Sequence, residues 1–127
     1  MTLLTPKEKQ LRREARDRAT RGAELLDKAM PTWFKKIDLK SLDLADCSNC
    51  MCGQLAQHSR AAIVVEELDE GYSGYAAFKG YLARKFGFYE WGGFSYDHGF
   101  LGNSGAEYKR LDTAWERLIR NRLREAQ

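Results

Sequence analysis

The sequence contains little cysteine or proline and no long hydrophobic run. Among 127 residues there are only three cysteines and two prolines. Three crowded cysteines do not fit the disulfide framework of a small secreted protein, because they cannot all pair. No stretch approaches the roughly 20 apolar residues of a membrane span, and the N-terminal segment lacks the apolar core of a signal peptide. We therefore expect a soluble protein that works in a reducing cytoplasm and does not enter a membrane.

Familiar catalytic motifs are missing as well. The chain has no phosphate-binding GxxxxGK[ST] loop, no HExxH and no GxSxG. Asp97 and His98 are adjacent, but sequence neighbours rarely form a working acid–base pair, and no nucleophile accompanies them. The sequence therefore predicts no enzymatic activity.

A strong charge of one sign is also absent, since the formal net charge is only +3. The charge is nevertheless uneven. Residues 1–30 carry eight Lys/Arg against five Asp/Glu, 101–127 carry six against four, and 31–100 carry seven against nine. Basic termini of this kind are typical of solvated helices laced with salt bridges, and they also suit an acidic partner.

The sequence does contain helical periodicity, which predicts a mostly α, small single-domain fold. Thr5-Pro6-Lys7-Glu8 is typical of a helix start, and apolar residues continue at helical spacing to Met30. A second long helix is predicted from about Ala106 to Glu125. Its stripe at i+3/i+4 spacing consists of Tyr108, Leu111, Trp115, Leu118 and Arg122.

The single domain is predicted to have three parts. They are an N-terminal helix over 1–30, whose first turns could project from the body, a core over 31–105, and a C-terminal helix over 106–126.

Within the core, short helices are predicted at Pro31–Ile37 and from Cys50 to about Ser59. Residues 61–68 and 74–86 are interpreted as further helices.

Glycine and aromatic residues are concentrated between residues 71 and 105, which hold nine of the eleven glycines and eleven of the fifteen aromatics. Residues 88–105 are predicted to be an aromatic-packed loop region, with a short hairpin at 91–94 as one option. Exposed aromatics amid glycine make good anchors for a partner, whereas buried ones would fill the core. The candidate anchors are Trp91, Phe94, Tyr96 and Phe100.

All three cysteines lie within Asp46–Ala56, and Cys47-x-x-Cys50 has the spacing with which two thiolates share a tetrahedral zinc. The candidate ligands of one structural zinc are Cys47, Cys50 and His98, with Cys52 and His58 as alternates. On a helix that begins at Cys50, Cys52 points about 200° away from it, which makes a shared metal awkward. A redox site with an acidic Cys47 thiol, or reduced cysteines that pack the start of a helix without any cofactor, are the other interpretations.

The N-terminal helix also carries a basic run, which could lie on phosphates. It consists of Lys9, Arg12, Arg13, Arg16 and Arg18, interrupted by Glu8, Glu14 and Asp17. The candidate nucleic-acid contacts are Arg12, Arg13 and Arg16.

Several segments together form a recognisable pattern. They are GAELLDKAMPTWFKKID (22–38), LDLADCSNC (42–50), GQL (53–55), HGF (98–100) and EYxxLxxxWxxxI (107–119). The pattern resembles small, functionally uncharacterised proteins of actinobacterial phages, mycobacteriophages among them. Cys52 stands where such proteins usually have leucine. The resemblance implies a phage protein in the host cytoplasm with a protein partner, and it implies no activity.

The sequence as a whole predicts a non-enzymatic phage accessory protein that binds a host or phage macromolecule, with a protein partner favoured. Nucleic-acid binding through the basic N-terminal helix and a thiol redox function are the alternatives.

Overall fold

Helices make up the regular structure of the chain wherever its structure is described. The computed structural model describes residues 3–46, 49–58 and 91–127, with the backbone alone at 56–58 and Trp91. These ranges contain no strand, and their elements are α1 (Pro6–Ala29), a 3₁₀ helix (Trp33–Lys36), α2 (Met51–His58), α3 (Trp91–Asp97) and α4 (Gly105–Glu125). The predicted mostly α fold is confirmed. The helices predicted over 61–68 and 74–86 lie outside the described residues.

Both long helices begin at a side-chain cap. The Thr5 hydroxyl accepts a hydrogen bond from the Glu8 backbone N–H at 3.1 Å, and Pro6 occupies the first position of α1. The Ser104 hydroxyl accepts from the Glu107 backbone N–H at 3.2 Å at the start of α4. Each cap satisfies a backbone donor that a helix leaves unpaired, which is why the predicted starts agree with the structure to within one residue.

Three aromatic rings form the centre of the core. The Trp33 and Trp115 rings meet edge to face with centroids 5.7 Å apart, and Phe100 stacks on Trp115 at 5.6 Å. Both tryptophans are fully buried, and each indole N–H has a partner. Trp33 donates to Asp27 at 2.9 Å and Trp115 donates to the Gly99 carbonyl at 2.7 Å. Burial therefore leaves neither N–H unsatisfied.

Small residues let α1 approach α4 closely. Ala15, Ala19 and Ala23 are buried on the face of α1 that looks into the core. A methyl group at Gly22 would come within 2.8 Å of the Trp115 ring and would also collide with the His98 carbonyl oxygen. Gly22 weakens the helix by its own propensity, but here it makes the packing distance possible.

The hairpin considered at residues 91–94 is wrong, because α3 occupies Trp91–Asp97. Helical spacing brings the Phe94 and His98 rings into contact one turn apart, with centroids 4.2 Å apart, the planes tilted by 36° and Phe94 buried. Gly92 and Gly93 lie on the exposed side, where nothing comes within 4 Å of an added methyl group. The glycine pair suggested a turn, and burial of one face of the segment outweighed that local preference.

The end of α3 has the geometry that favours glycine. Gly99 has φ +75°, and its N–H donates to Tyr96 O at 3.2 Å, while the Phe100 N–H donates to Ser95 O at 2.8 Å. This pair of bonds is the Schellman motif that ends many helices. A methyl group on Gly99 would also meet the Ala19 backbone at 2.9 Å, so the turn fixes how α3 lies on α1.

Two polar side chains hold the segment between the 3₁₀ helix and α2. Buried Gln54 accepts from the Asp38 N–H at 2.7 Å and donates to the Asn49 carbonyl at 3.1 Å. Asp112 on α4 accepts from the Leu44 N–H at 2.8 Å. Burial raises the pKa of Asp112, because it disfavours the charged carboxylate.

Candidate functional site

A groove of about 490 Å³ lies between the N-terminal half of α1 and the first part of α4. We call it the basic groove; its lining residues are Glu8, Arg12, Arg16, Ala106, Lys109, Arg110, Thr113, Ala114 and Arg117. Five of these nine side chains are cationic and one is anionic. A concavity with this imbalance concentrates anions near its surface.

Helical spacing accounts for the two rims of the basic groove. On α1 the lining positions are Glu8, Arg12 and Arg16, which are four residues apart and therefore share one face. On α4 the positions from 106 to 117 recur every three or four residues. Each helix thus presents a charged row beside the face that it buries in the core.

The Glu8 carboxylate links the two sides of the basic groove. Glu8 accepts two hydrogen bonds from Arg110, from Nε to Oε1 at 3.2 Å and from Nη2 to Oε2 at 3.0 Å. It also accepts from Arg12 Nε at 3.2 Å. The hydrogen bond from Arg110 lowers the pKa of Glu8, so the carboxylate is charged at neutral pH. The paired oxygens and the guanidinium fork form the bidentate arrangement that binds carboxylates most strongly.

The other three cations of the basic groove, Arg16, Lys109 and Arg117, form no ion pair within the ranges that the structure describes. Such cations are available to a ligand without breaking an existing pair.

Small residues also line the basic groove. Ala106, Thr113 and Ala114 line the basic groove on the α4 side. The Thr113 hydroxyl donates to the Lys109 carbonyl at 3.1 Å, which satisfies it within the helix. The groove therefore offers apolar contact together with basic rims.

The structure divides the basic run predicted on α1. Arg12 and Arg16 line the basic groove, and Arg13 is exposed without lining it. Arg18 is buried, so its inclusion in a phosphate-facing run is wrong. On a helix, residues two positions apart point about 200° away from each other, which places Arg16 and Arg18 on opposite sides.

Arg18 has a structural role at the centre of the fold. Its guanidinium donates to Tyr96 O at 2.6 Å, to Leu101 O at 2.5 Å and to Glu107 Oε1 at 2.6 Å, and it lies 3.6 Å from the centroid of the Tyr96 ring. Burial alone would raise the pKa of Glu107, but the hydrogen bond from Arg18 holds it below its ordinary value. Each of the three guanidinium nitrogens thus donates a hydrogen bond to the protein itself.

The aromatic anchor candidates occupy different environments. Phe94 and Phe100 are buried, at 5% and 6% exposure, so neither presents the exposed ring that the anchor hypothesis needs. Tyr96 is half-buried and covers the Arg18 guanidinium. The side chain of Trp91 lies outside the described residues.

The cysteine segment is described only in part. Cys50 and Cys52 are buried, and the Cys50 sulfur accepts from the Gly53 N–H at 3.2 Å. Burial raises the pKa of Cys52 well above its ordinary value, which keeps this thiol protonated and unreactive. Cys47, the thiol that the redox interpretation needs, lies outside the described residues.

The zinc hypothesis stays a prediction. Residues 3–46, 49–58 and 91–127 contain no group of three or more His, Cys, Asp or Glu side chains arranged to hold a metal ion. The candidate ligands Cys47 and His58 fall outside the side chains described. Among the described candidates, His98 lies with Nδ1 2.8 Å from the Phe94 carbonyl oxygen.

Sequence reasoning missed the α4 side of the groove and the role of Glu8. Lys109, Arg110 and Arg117 lie off the apolar stripe of α4, so their exposure was predictable. Their position opposite Arg12 and Arg16 was not, because Glu8 and Arg110 are 102 residues apart in the chain.

Comparison of the chain with known protein families, with curated proteins and with solved structures found no significant match. None of the described helices combines the length and the apolar character needed to cross a membrane.

Proposed function

We propose that this protein is a non-enzymatic binding module whose basic groove holds an acidic segment of a partner protein. The observation that carries the proposal is the combination of five cations, one carboxylate and a row of small residues in one groove between α1 and α4. In the setting that the sequence resemblance implies, the partner is a host or phage protein.

A protein segment suits this groove better than a nucleic-acid backbone does. Besides its cations, the groove is lined by the small residues Ala106, Thr113 and Ala114, which offer apolar contact. A helix with small apolar residues on one face and acidic residues beside them can use both features at once. A phosphate backbone would use the cations and leave the apolar row without a partner.

The three unpaired cations provide the steering charge. Arg16, Lys109 and Arg117 attract an acidic ligand over several ångströms and do so less at high ionic strength. Complementary charge raises the association rate and sets the orientation, while the apolar contacts slow dissociation.

Fluorescence anisotropy with an acidic peptide tests the proposal. The probe is a labelled helical peptide of Glu, Ala and Leu, about 20 residues long so that it spans the groove. The groove variant combines Arg16→Ala, Lys109→Ala and Arg117→Ala. We expect it to bind the peptide about tenfold or more weakly than the native chain, equivalent to about 1.4 kcal/mol or more.

The matched control removes the same charge from outside the groove. It combines Arg13→Ala, Arg120→Ala and Arg124→Ala, all exposed positions that do not line the groove. We expect at most about a twofold loss of affinity from this variant, through long-range charge alone. Equal losses in the two variants would show that binding is non-specific attraction and would contradict the proposal.

A labelled DNA duplex and a single strand in the same titration test the alternative. Tighter binding of either DNA than of the peptide, with affinity falling steeply with salt, would establish the nucleic-acid function instead.

A further inference from the structure

Among the residues that the structure describes, Glu8 is the only carboxylate that lines the basic groove, and it lies where a ligand carboxylate would bind. It accepts two hydrogen bonds from Arg110, of 3.2 Å and 3.0 Å, and one of 3.2 Å from Arg12. These two arginines are the cations of the groove that already have a partner. The protein therefore fills its own strongest carboxylate site with one of its own side chains.

Glu8 also has a second position available on its own helix. Thr5 and Glu8 are the first and fourth residues of a capping box, in which the glutamate side chain accepts from the backbone N–H of the capping residue. Half of the box is formed here, since Thr5 accepts from the Glu8 N–H at 3.1 Å. The other half is open: the N–H of Thr5, an exposed residue with extended backbone, donates to no described group, while the Glu8 carboxylate lies on Arg110.

From these two positions we infer that an acidic side chain of the ligand replaces Glu8 on Arg110 and Arg12, and that the displaced Glu8 completes the capping box at Thr5. The inference rests on the proposed function, and it adds the ligand chemistry of the site and the residue that controls it. Exchange of one carboxylate for another conserves the hydrogen bonds of the guanidinium groups. The new bond at Thr5 offsets part of what Glu8 loses.

The consequence is a threshold for ligands. A weak or singly charged ligand gains little by displacing Glu8, because the arginines lose one carboxylate as they gain another. A ligand that also contacts Arg16, Lys109 or Arg117 gains attraction that Glu8 does not supply. Glu8 is therefore a specificity-determining residue that favours ligands with several acidic groups.

Glu8→Gln tests the exchange with little change of shape, and glutamine at this position can still complete a capping box. We expect the variant to bind the acidic peptide about tenfold more tightly than the native chain, since the competing charge-assisted bonds are lost. The control is Glu14→Gln, which removes the same charge from an exposed α1 position outside the groove. We expect that control to tighten binding by no more than about twofold.

The outcomes separate the two proposals. If the native chain binds the peptide and Glu8→Gln binds no more tightly than Glu14→Gln, the exchange is wrong and the proposed function stands. If Glu8→Gln binds more weakly than the native chain, Glu8 supports the arginines and the exchange is again wrong. If neither the native chain nor Glu8→Gln binds, both proposals are wrong.

Nuclear magnetic resonance gives a second measurement on the native chain. On addition of the peptide, we expect the Thr5 amide proton to shift as it gains an acceptor and the Arg110 Nε–H to shift as it changes carboxylates. In Glu8→Ala, which has no side-chain acceptor for the cap, the Thr5 shift should be absent. A Thr5 shift of equal size in Glu8→Ala would overturn the exchange.

Discussion

The contact between α1 and α4 has two regions that use the same residue types for different purposes. Around Arg18 the helices are closely packed, and the arginine is buried with a hydrogen bond from each guanidinium nitrogen. Around Arg16 the basic groove opens between the helices, and the Arg16 guanidinium forms no ion pair among the described residues. These two arginines have different roles, because side chains two positions apart on a helix point about 200° away from each other.

The comparison teaches that cationic residues on a helix indicate a binding partner only if their side chains are not already buried in the fold. The Arg18–Glu107 pair has side-chain exposures of 8% and 18% and is part of the fold. The Arg120–Glu116 pair has exposures of 61% and 49%, and pairs of that kind contribute little. Cations that are neither buried nor paired are the ones left for a ligand.

The largest expected effect on the free energy of unfolding is the difference between substitutions at Arg18 and at Arg16. We expect Arg18→Ala to lower the free energy of unfolding by about 3–5 kcal/mol, because it leaves Glu107 partly buried without its partner. Arg16→Ala should change it by no more than about 0.5 kcal/mol. Urea unfolding followed by tryptophan fluorescence measures both, and similar losses in the two variants would contradict the division of α1 into two sides.

An intermediate effect is expected where α1 approaches Trp115. Gly22→Ala should lower the free energy of unfolding by about 1–3 kcal/mol, because the added methyl group collides with the ring and with the His98 carbonyl. The control is Gly93→Ala, an exposed helical glycine with open space around it, which should raise stability by about 0.5–1 kcal/mol. A neutral or stabilising Gly22→Ala would show that the close approach is not required.

The smallest expected effect is on the pH dependence of stability, and it tests the structural role of the Arg18–Glu107 pair. The lowered pKa of Glu107 means that the folded state holds its proton less tightly than the unfolded state does. Its contribution to stability is therefore fully present above the ordinary value of 4.5 and is lost as the pH falls through the lower folded pKa. We expect the stability difference between the native chain and Glu107→Gln to shrink on acidification, as measured by thermal unfolding down to about pH 3.

Asp112 serves as an internal control, because its effect on the pH dependence of stability has the opposite sign. Because burial raises its pKa, its contribution is fully present below the ordinary value of 3.8 and is lost as the pH rises through the folded pKa. The stability of Asp112→Asn relative to the native chain should therefore increase as the pH rises through this range. The same trend for the Glu107 and Asp112 variants would contradict the assigned directions.

The sequence was most informative where a few neighbouring residues decide the structure. Thr5 and Pro6 mark the start of α1, and the apolar stripe of α4 places Leu111 and Trp115 in the core. These features depend on capping bonds and helical spacing, which act over one or two turns. The resemblance to phage proteins, the zinc at the cysteine segment and the identity of the partner stay predictions.

Only the tertiary structure decided which charged and aromatic side chains are available. Arg18 and Phe100 are buried, although each resembled an exposed binding residue in the sequence. In the sequence Glu8 is part of a capping signature. In the structure its carboxylate accepts two hydrogen bonds from Arg110, 102 residues away in the chain. The sequence by itself therefore determined the helices and the rows of cations on them. Only the fold decided which of these cations are exposed and which are buried, because burial depends on contacts between residues that are distant in the chain.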